Sequence, residues 1–152
     1  MSGRIVVGID GSDEAQSALR WAYAEAQRRG SATLDVVMVW QAPYALYLPA
    51  EGASRDLMEV ELRRELDNCI AREGLVANAD DDAGPRVVPI VVEGKIAPTL
   101  LDRAKDADLL AIGAHGHGQF TGMLLGSVSL HCVCGAPCPV AVIRPTSSAS
   151  PR

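Results

Sequence analysis

The chain reads as a doubly wound α/β fold, a five-stranded parallel sheet in the order 3-2-1-4-5 with helices on both faces, and three observations predict it. Short β-branched runs alternate with stretches whose apolar residues recur at helical spacing, which is how βαβ units build a parallel sheet. The runs are continuously apolar rather than alternating, as strands covered on both faces are. One of them, Val87 to Val92, contains Pro89, which has no N–H for a ladder and belongs on a sheet edge or at a bulge.

Arg4 to Ile9 is the first strand, ending at Asp10, Gly11 and Ser12. Ser12 is a good N-cap, Asp13 and Glu14 suit the first turn of a helix, and Ala15, Ala18, Leu19, Ala22 and Ala26 keep helical spacing until Gly30. Leu34 to Trp40 is the second strand, reached by a right-handed crossover. Gln41 to Ser54, with two prolines and a glycine, reads as a loop. From about Arg55 to Glu73 the spacing of Leu62, Leu66 and Ile70 predicts a second, more charged helix, with Cys69 packed inward and Gly74 beyond. Asn78 to Pro85, with three consecutive aspartates, reads as a solvated turn.

After the Pro89 strand, Gly94 turns the chain, Pro98 suits a first helical turn, and Thr99 to Lys105 forms a short third helix with Leu100, Leu101 and Ala104 inward. Leu109 to Ile112 is the fourth strand, Ser127 to Gly135 a short fourth helix, and Val140 to Ile143 the last strand. Residues 1–145 then form one domain, and 146–152, rich in Ser and Pro, a flexible tail. Placing the Pro89 strand on an edge makes the first and fourth strands neighbours. Their connections leave on opposite faces, so their carboxyl ends flank the crevice where such sheets bind ligands.

The 14 Lys and Arg against 19 Asp and Glu, a net charge of -5, argue against nucleic acid or an anionic membrane as partner. The chain enters a strand within four residues and has no apolar run of spanning length, so the expectation is no leader, no anchor and a cytoplasmic location. Four cysteines in that setting read as reduced thiols.

Chemistry concentrates between Gly113 and Ser127, which hold five of the 14 glycines. Glycine permits close approach of a ligand to bare amides, and a helix N-terminus just beyond attracts anions. Ser127 and Ser129 offer hydroxyl donors there. From Asp106 through Ile143 there is no Lys or Arg, so a phosphate would be met by amides, the helix dipole and a divalent cation carried in with a nucleotide. Asp10 has two readings, a ribose or metal-water contact and a turn residue bonded to its own backbone. His115 and His117 admit a metal or proton-transfer role beside that of polar loop residues. Cys132, Cys134 and Cys138 with His131 lack the two separated ligand pairs of a zinc site, and CxC in a helix sends two thiols to different faces.

From Arg4 to Pro145 these features resemble the universal stress protein family, in its small single-domain, ATP-binding form. Gly113, Gly116, Gly126 and Ser127 stand at the spacing of the family's nucleotide-binding members, and Val7-Gly-Ile-Asp-Gly-Ser12 and Ala136 to Arg144 look like its first and last strands. The resemblance implies that Asp10 contacts ribose or the metal-water shell and that Val39 lines an adenine pocket. It puts Ile112 and Gly113 near the nucleotide, and Gly116, Gly126, Ser127, Val128 and Ser129 around the phosphates. Gly11, Ser12 and His115 complete the candidate site. It also implies a homodimer through Val140 to Ile143, an apolar edge strand. The expected function is a stress-response or regulatory protein in which ATP with Mg2+ is a bound signal. The alternatives are a slow ATPase or self-phosphorylating enzyme using Asp10 or His115, and a dimeric module that needs no nucleotide.

Overall fold

The computed structural model describes residues 3–41, 52–79, 84–116 and 124–145. In chain order the elements are β1 (Arg4–Gly8), α1 (Asp13–Arg29), β2 (Thr33–Trp40), α2 (Gly52–Arg72) and β3 (Arg86–Glu93), followed by α3 (Ile96–Arg103), β4 (Leu109–Gly113), α4 (Ser127–Gly135) and β5 (Val140–Ile143). The strands form one sheet in the order β3-β2-β1-β4-β5, and every pairing is parallel. That is the order and architecture expected from the position of Pro89. β3 pairs along its length with β2 and meets only an isolated bridge, Ala77 to Val87, on its outer side among the described residues, so the missing N–H of Pro89 interrupts no strand ladder there.

The alternating directions of strand side chains divide the core in two. Ile5 and Val7 of β1, with Val36 and Met38 of β2, pack against Ala18, Leu19 and Ala22 of α1 and Leu66 and Ile70 of α2. Val6, Val37 and Leu110 face the other way, onto Ala97, Leu100 and Ala104 of α3 and Cys132 of α4. Both faces are therefore apolar, which is why the strand runs read as continuous.

Local signals set the ends of α1. Ser12, extended at φ -75 and ψ 159, accepts a hydrogen bond from the Ala15 amide, and Gly30 closes the helix at φ 65 in the left-handed region. Two other helices differ from expectation. α2 begins at Gly52, a turn earlier than Arg55, because nothing from Gly52 onward breaks it. α3 begins at Ile96 rather than Thr99, since Pro98 in the first turn needs no acceptor for the N–H it lacks, and Ala97 thereby joins Leu100 and Ala104 in the core. Leu101 is only partly buried. The readings of 146–152, of most of the Gln41 to Ser54 loop and of the aspartate run fall outside the described residues. No described helix is long and apolar enough to cross a membrane.

Candidate functional site

At the carboxyl ends of β1 and β4 the sheet opens into a cavity of about 380 Å3. The volume falls within the usual range for small-molecule sites. Its wall comes from two sides. β2, α3 and the end of β4 supply Val37, Val39, Ile96, Leu100 and Ile112, an apolar slot, whereas the β1 tip and the β4–α4 connection supply Asp10, His115, Gly116, Gly126 and Ser127.

The two strand tips touch, and glycine is what lets them. A Cβ on Gly116 would stand 2.5 Å from Oδ2 of Asp10, and one on Gly113 would stand 3.0 Å from the backbone carbon of Glu14. Both contacts are too close for any other residue to be accepted without displacement. Beyond the glycines the connection is tied to its own base. The Ala114 carbonyl accepts from the Gly126 amide at 2.7 Å and from the Ser129 hydroxyl at 2.7 Å, while the Ala114 amide donates to Ile143 of β5 at 2.9 Å.

These ties place the start of α4 at the cavity. Gly126 is its N-cap, extended at φ -74 and ψ 172, with no side-chain cap. Leu130 donates the first turn's bond, to the Gly126 carbonyl at 3.0 Å, so the amides of Ser127, Val128 and Ser129 precede the helical ladder. All three residues lie in the cavity wall. An uncapped helix start with a glycine N-cap is suited to an anion.

Of the twelve residues singled out from the sequence, ten line this cavity: Asp10, Val39, Ile112, Gly113, His115, Gly116, Gly126, Ser127, Val128 and Ser129. Gly11 and Ser12 do not. Gly11 supplies the left-handed turn at φ 84, and the Ser12 hydroxyl donates to Asp10 at 2.5 Å while capping α1. Oδ1 of Asp10 also takes the Ser12 amide at 2.9 Å, so the turn-residue reading of Asp10 holds even though the residue lines the cavity. The Ser129 hydroxyl is directed to Ala114 and Gly126 carbonyls, which makes it a buried tie for the connection rather than the ligand donor anticipated for it. His117 lies outside the described residues.

The residue not anticipated is Glu14. It is buried in the first turn of α1, where its carboxylate accepts from the His115 amide and lies 3.2 Å from Nδ1 of the His115 ring. From sequence it reads only as an acidic residue suited to a helix start, since its partner is 101 positions away. Val37 and Leu100, legible from the sequence only as core, and Ile96, not singled out there, also stand in the cavity wall.

The cysteines divide as the helical spacing requires. Cys132 is buried, with its thiol pushed up to about 11 by burial, and Cys134 is exposed. Burial raises the Cys138 thiol as well. Among the described residues no group of three or more His, Cys, Asp or Glu is placed to hold a metal ion.

Residues 1–144 match the model of the Universal stress protein family. Universal stress protein Rv2623 of Mycobacterium tuberculosis is 35% identical over 150 residues, covering 97% of this chain and 50% of that protein. The chain spans about half the length of the curated relatives it matches. Among solved structures, universal stress protein UspA from Lactobacillus plantarum superposes with a TM-score of 0.75 at 26% identity, covering 93% of this chain and 97% of that one. A universal stress protein from Archaeoglobus fulgidus in complex with dAMP has a TM-score of 0.60 at 22% identity, covering 94% and 98%. At that identity the likeness is one of fold.

Proposed function

The chain belongs to the universal stress protein family, and from that premise we propose that it binds an adenine nucleotide between the tips of β1 and β4, with ATP and Mg2+ as a bound signal rather than a fuel. The observation that carries the reading is the pairing of an apolar slot with an amide-rich rim. Val37, Val39, Leu100 and Ile112 offer a flat base two apolar walls, and the glycine connection with the start of α4 offers amides to phosphate. The dAMP held by the Archaeoglobus fulgidus protein is an adenine nucleotide on the same fold.

A triphosphate brings more negative charge than amides alone balance. No Lys or Arg lines the cavity among the described residues, so Mg2+ arriving with ATP supplies the neutralisation. Signalling rather than turnover is favoured by Asp10, whose Oδ1 is held by Ser12 and is poorly placed to act as a base. The open side of β5 is the expected seam of a homodimer, and a stress-response role inside the cytoplasm is the setting that fits such a sensor.

Mass analysis of small molecules released from the purified protein should find adenine nucleotide. Calorimetry with ATP and Mg2+ should show binding that Gly116→Val and Gly126→Val each abolish, and phosphate release at saturating ATP should match buffer. Absence of both released nucleotide and calorimetric binding would overturn the reading; sustained phosphate release would convert it to a slow ATPase.

A further inference from the structure

Glu14 is 6% exposed in the first turn of α1, and it is not among the described residues of the cavity wall. A carboxylate so buried is costly unless its oxygens find donors. Glu14 finds one on the connection after β4, where Oε2 accepts from the His115 amide. The same turn of α1 also presses on the strand that leads into this connection. A Cβ on Gly113 would stand 3.0 Å from the Cβ of Glu14 and 3.1 Å from the Ala15 amide nitrogen.

We propose that Glu14 is the positioning residue of the phosphate-binding connection, holding the His115 amide so that the run from Gly113 to Gly116 keeps the shape that receives phosphate, without itself touching the nucleotide. This rests on the nucleotide reading above. The backbone N–H of His115 carries the effect, whatever the protonation of the ring.

The hold from α1 completes others that come from the opposite side. β5 takes the Ala114 amide through the Ile143 carbonyl at 2.9 Å, and the start of α4 gives the Gly126 amide and the Ser129 hydroxyl to the Ala114 carbonyl, each at 2.7 Å. Glu14 acts one residue further along, immediately before Gly116, whose close approach to Asp10 leaves no room for a Cβ. Backbone fixed in advance binds an anion more tightly than backbone that must first be ordered. The charge of Glu14 works the other way, since a carboxylate beside a phosphate site repels phosphate. Electrostatics alone therefore predicts tighter nucleotide binding when Glu14 is neutralised, whereas a positioning role predicts weaker binding when the acceptor is lost.

The test is calorimetry with ATP plus Mg2+, alongside adenosine, which has no phosphate. Glu14→Met keeps the bulk but removes the acceptor, and its affinity for ATP should fall at least about tenfold while its affinity for adenosine stays within about threefold. Glu14→Gln, which keeps a carbonyl oxygen for the His115 amide, should recover most of that loss. Thermal unfolding checks that both variants are folded. The wild type supplies a measurement that needs no variant: in the ligand-free protein the His115 amide should exchange its hydrogen at least about a hundredfold more slowly than an unprotected amide, as read by NMR. ATP binding in Glu14→Met as tight as in the wild type or tighter overturns the role, as do an equal loss with adenosine, a loss in Glu14→Gln as deep as in Glu14→Met, or unprotected exchange at His115. Wild-type protein that binds neither ATP nor adenosine overturns the nucleotide reading instead, and the positioning role falls with it.

Discussion

The two ends of the sheet handle charge in opposite ways. At the amino end Arg4 closes the structure with its own side chain, donating to Asp35 at 2.9 Å and to the Lys105 carbonyl at 2.5 Å, while the Arg4 amide donates to Asp108 at 2.9 Å. β1, β2 and the approach to β4 are laced together by a cation whose partners are all protein. At the carboxyl end no Lys or Arg lines the cavity among the described residues, and glycines bring backbone close to backbone. One end spends its polar groups on the fold; the other leaves amides at a cavity wall. In a doubly wound sheet the second arrangement marks the ligand end.

The strongest way to break that contrast is to add one methyl group at the carboxyl end. In Gly116→Ala the new Cβ meets Oδ2 of Asp10 at 2.5 Å, whereas in Gly126→Ala it meets the His115 Cα at 3.4 Å. The first must push the loop or Asp10 aside, and the second is ordinary contact. Nucleotide affinity measured by calorimetry should fall at least about tenfold for Gly116→Ala and stay within about threefold for Gly126→Ala, a gap set by geometry. Equal losses would show that glycine's flexibility, not the close approach, is what the loop requires.

At the amino end the expected effect is on stability alone. Arg4→Met leaves Asp35, 7% exposed, without its guanidinium. Denaturant unfolding should show a loss of about 1–3 kcal/mol, with nucleotide affinity unchanged. A change in affinity without a change in stability would mean that the two ends are coupled through β1.

Why the fold was legible and part of the site was not follows from where the signals lie. Strand runs, the Ser12 cap, Gly30 and the Pro89 edge are local features, each acting within a few residues, and they suffice to set the strand order. The glycine connection is also local, so most of the cavity's polar rim could be read before any coordinates. Glu14 could not. Its role depends on α1 and the β4 exit meeting in space, and a carboxylate in a first helical turn looks the same whether it faces solvent or a histidine. Ser129 erred in the opposite sense: a hydroxyl near a helix start suggests a ligand donor, but burial beneath Ala114 turns it inward. α3 starts ahead of the expected Thr99 because a proline in a first turn leaves room for residues before it.

The smallest effect is expected at a second side-chain tie, between α1 and the end of α2. Glu73, just past α2, accepts from Arg20 at 2.7 Å and from Gln16 at 2.7 Å, joining α2 to α1. Partial burial works against its charge, but the bonds from Arg20 and Gln16, with the Arg20 charge, hold its carboxyl below the usual glutamate range. A group depressed on folding stabilises the fold at every pH above its unfolded value, and that contribution disappears as pH falls through the folded value. Glu73→Gln should therefore lower the thermal midpoint slightly at neutral pH, since Arg20 is largely solvent-exposed and such ties are weak. The difference from wild type should shrink below about pH 4 and vanish in stronger acid. A difference that persists undiminished there would assign the tie to the shape of the side chain and its hydrogen bonds, with no part played by its charge.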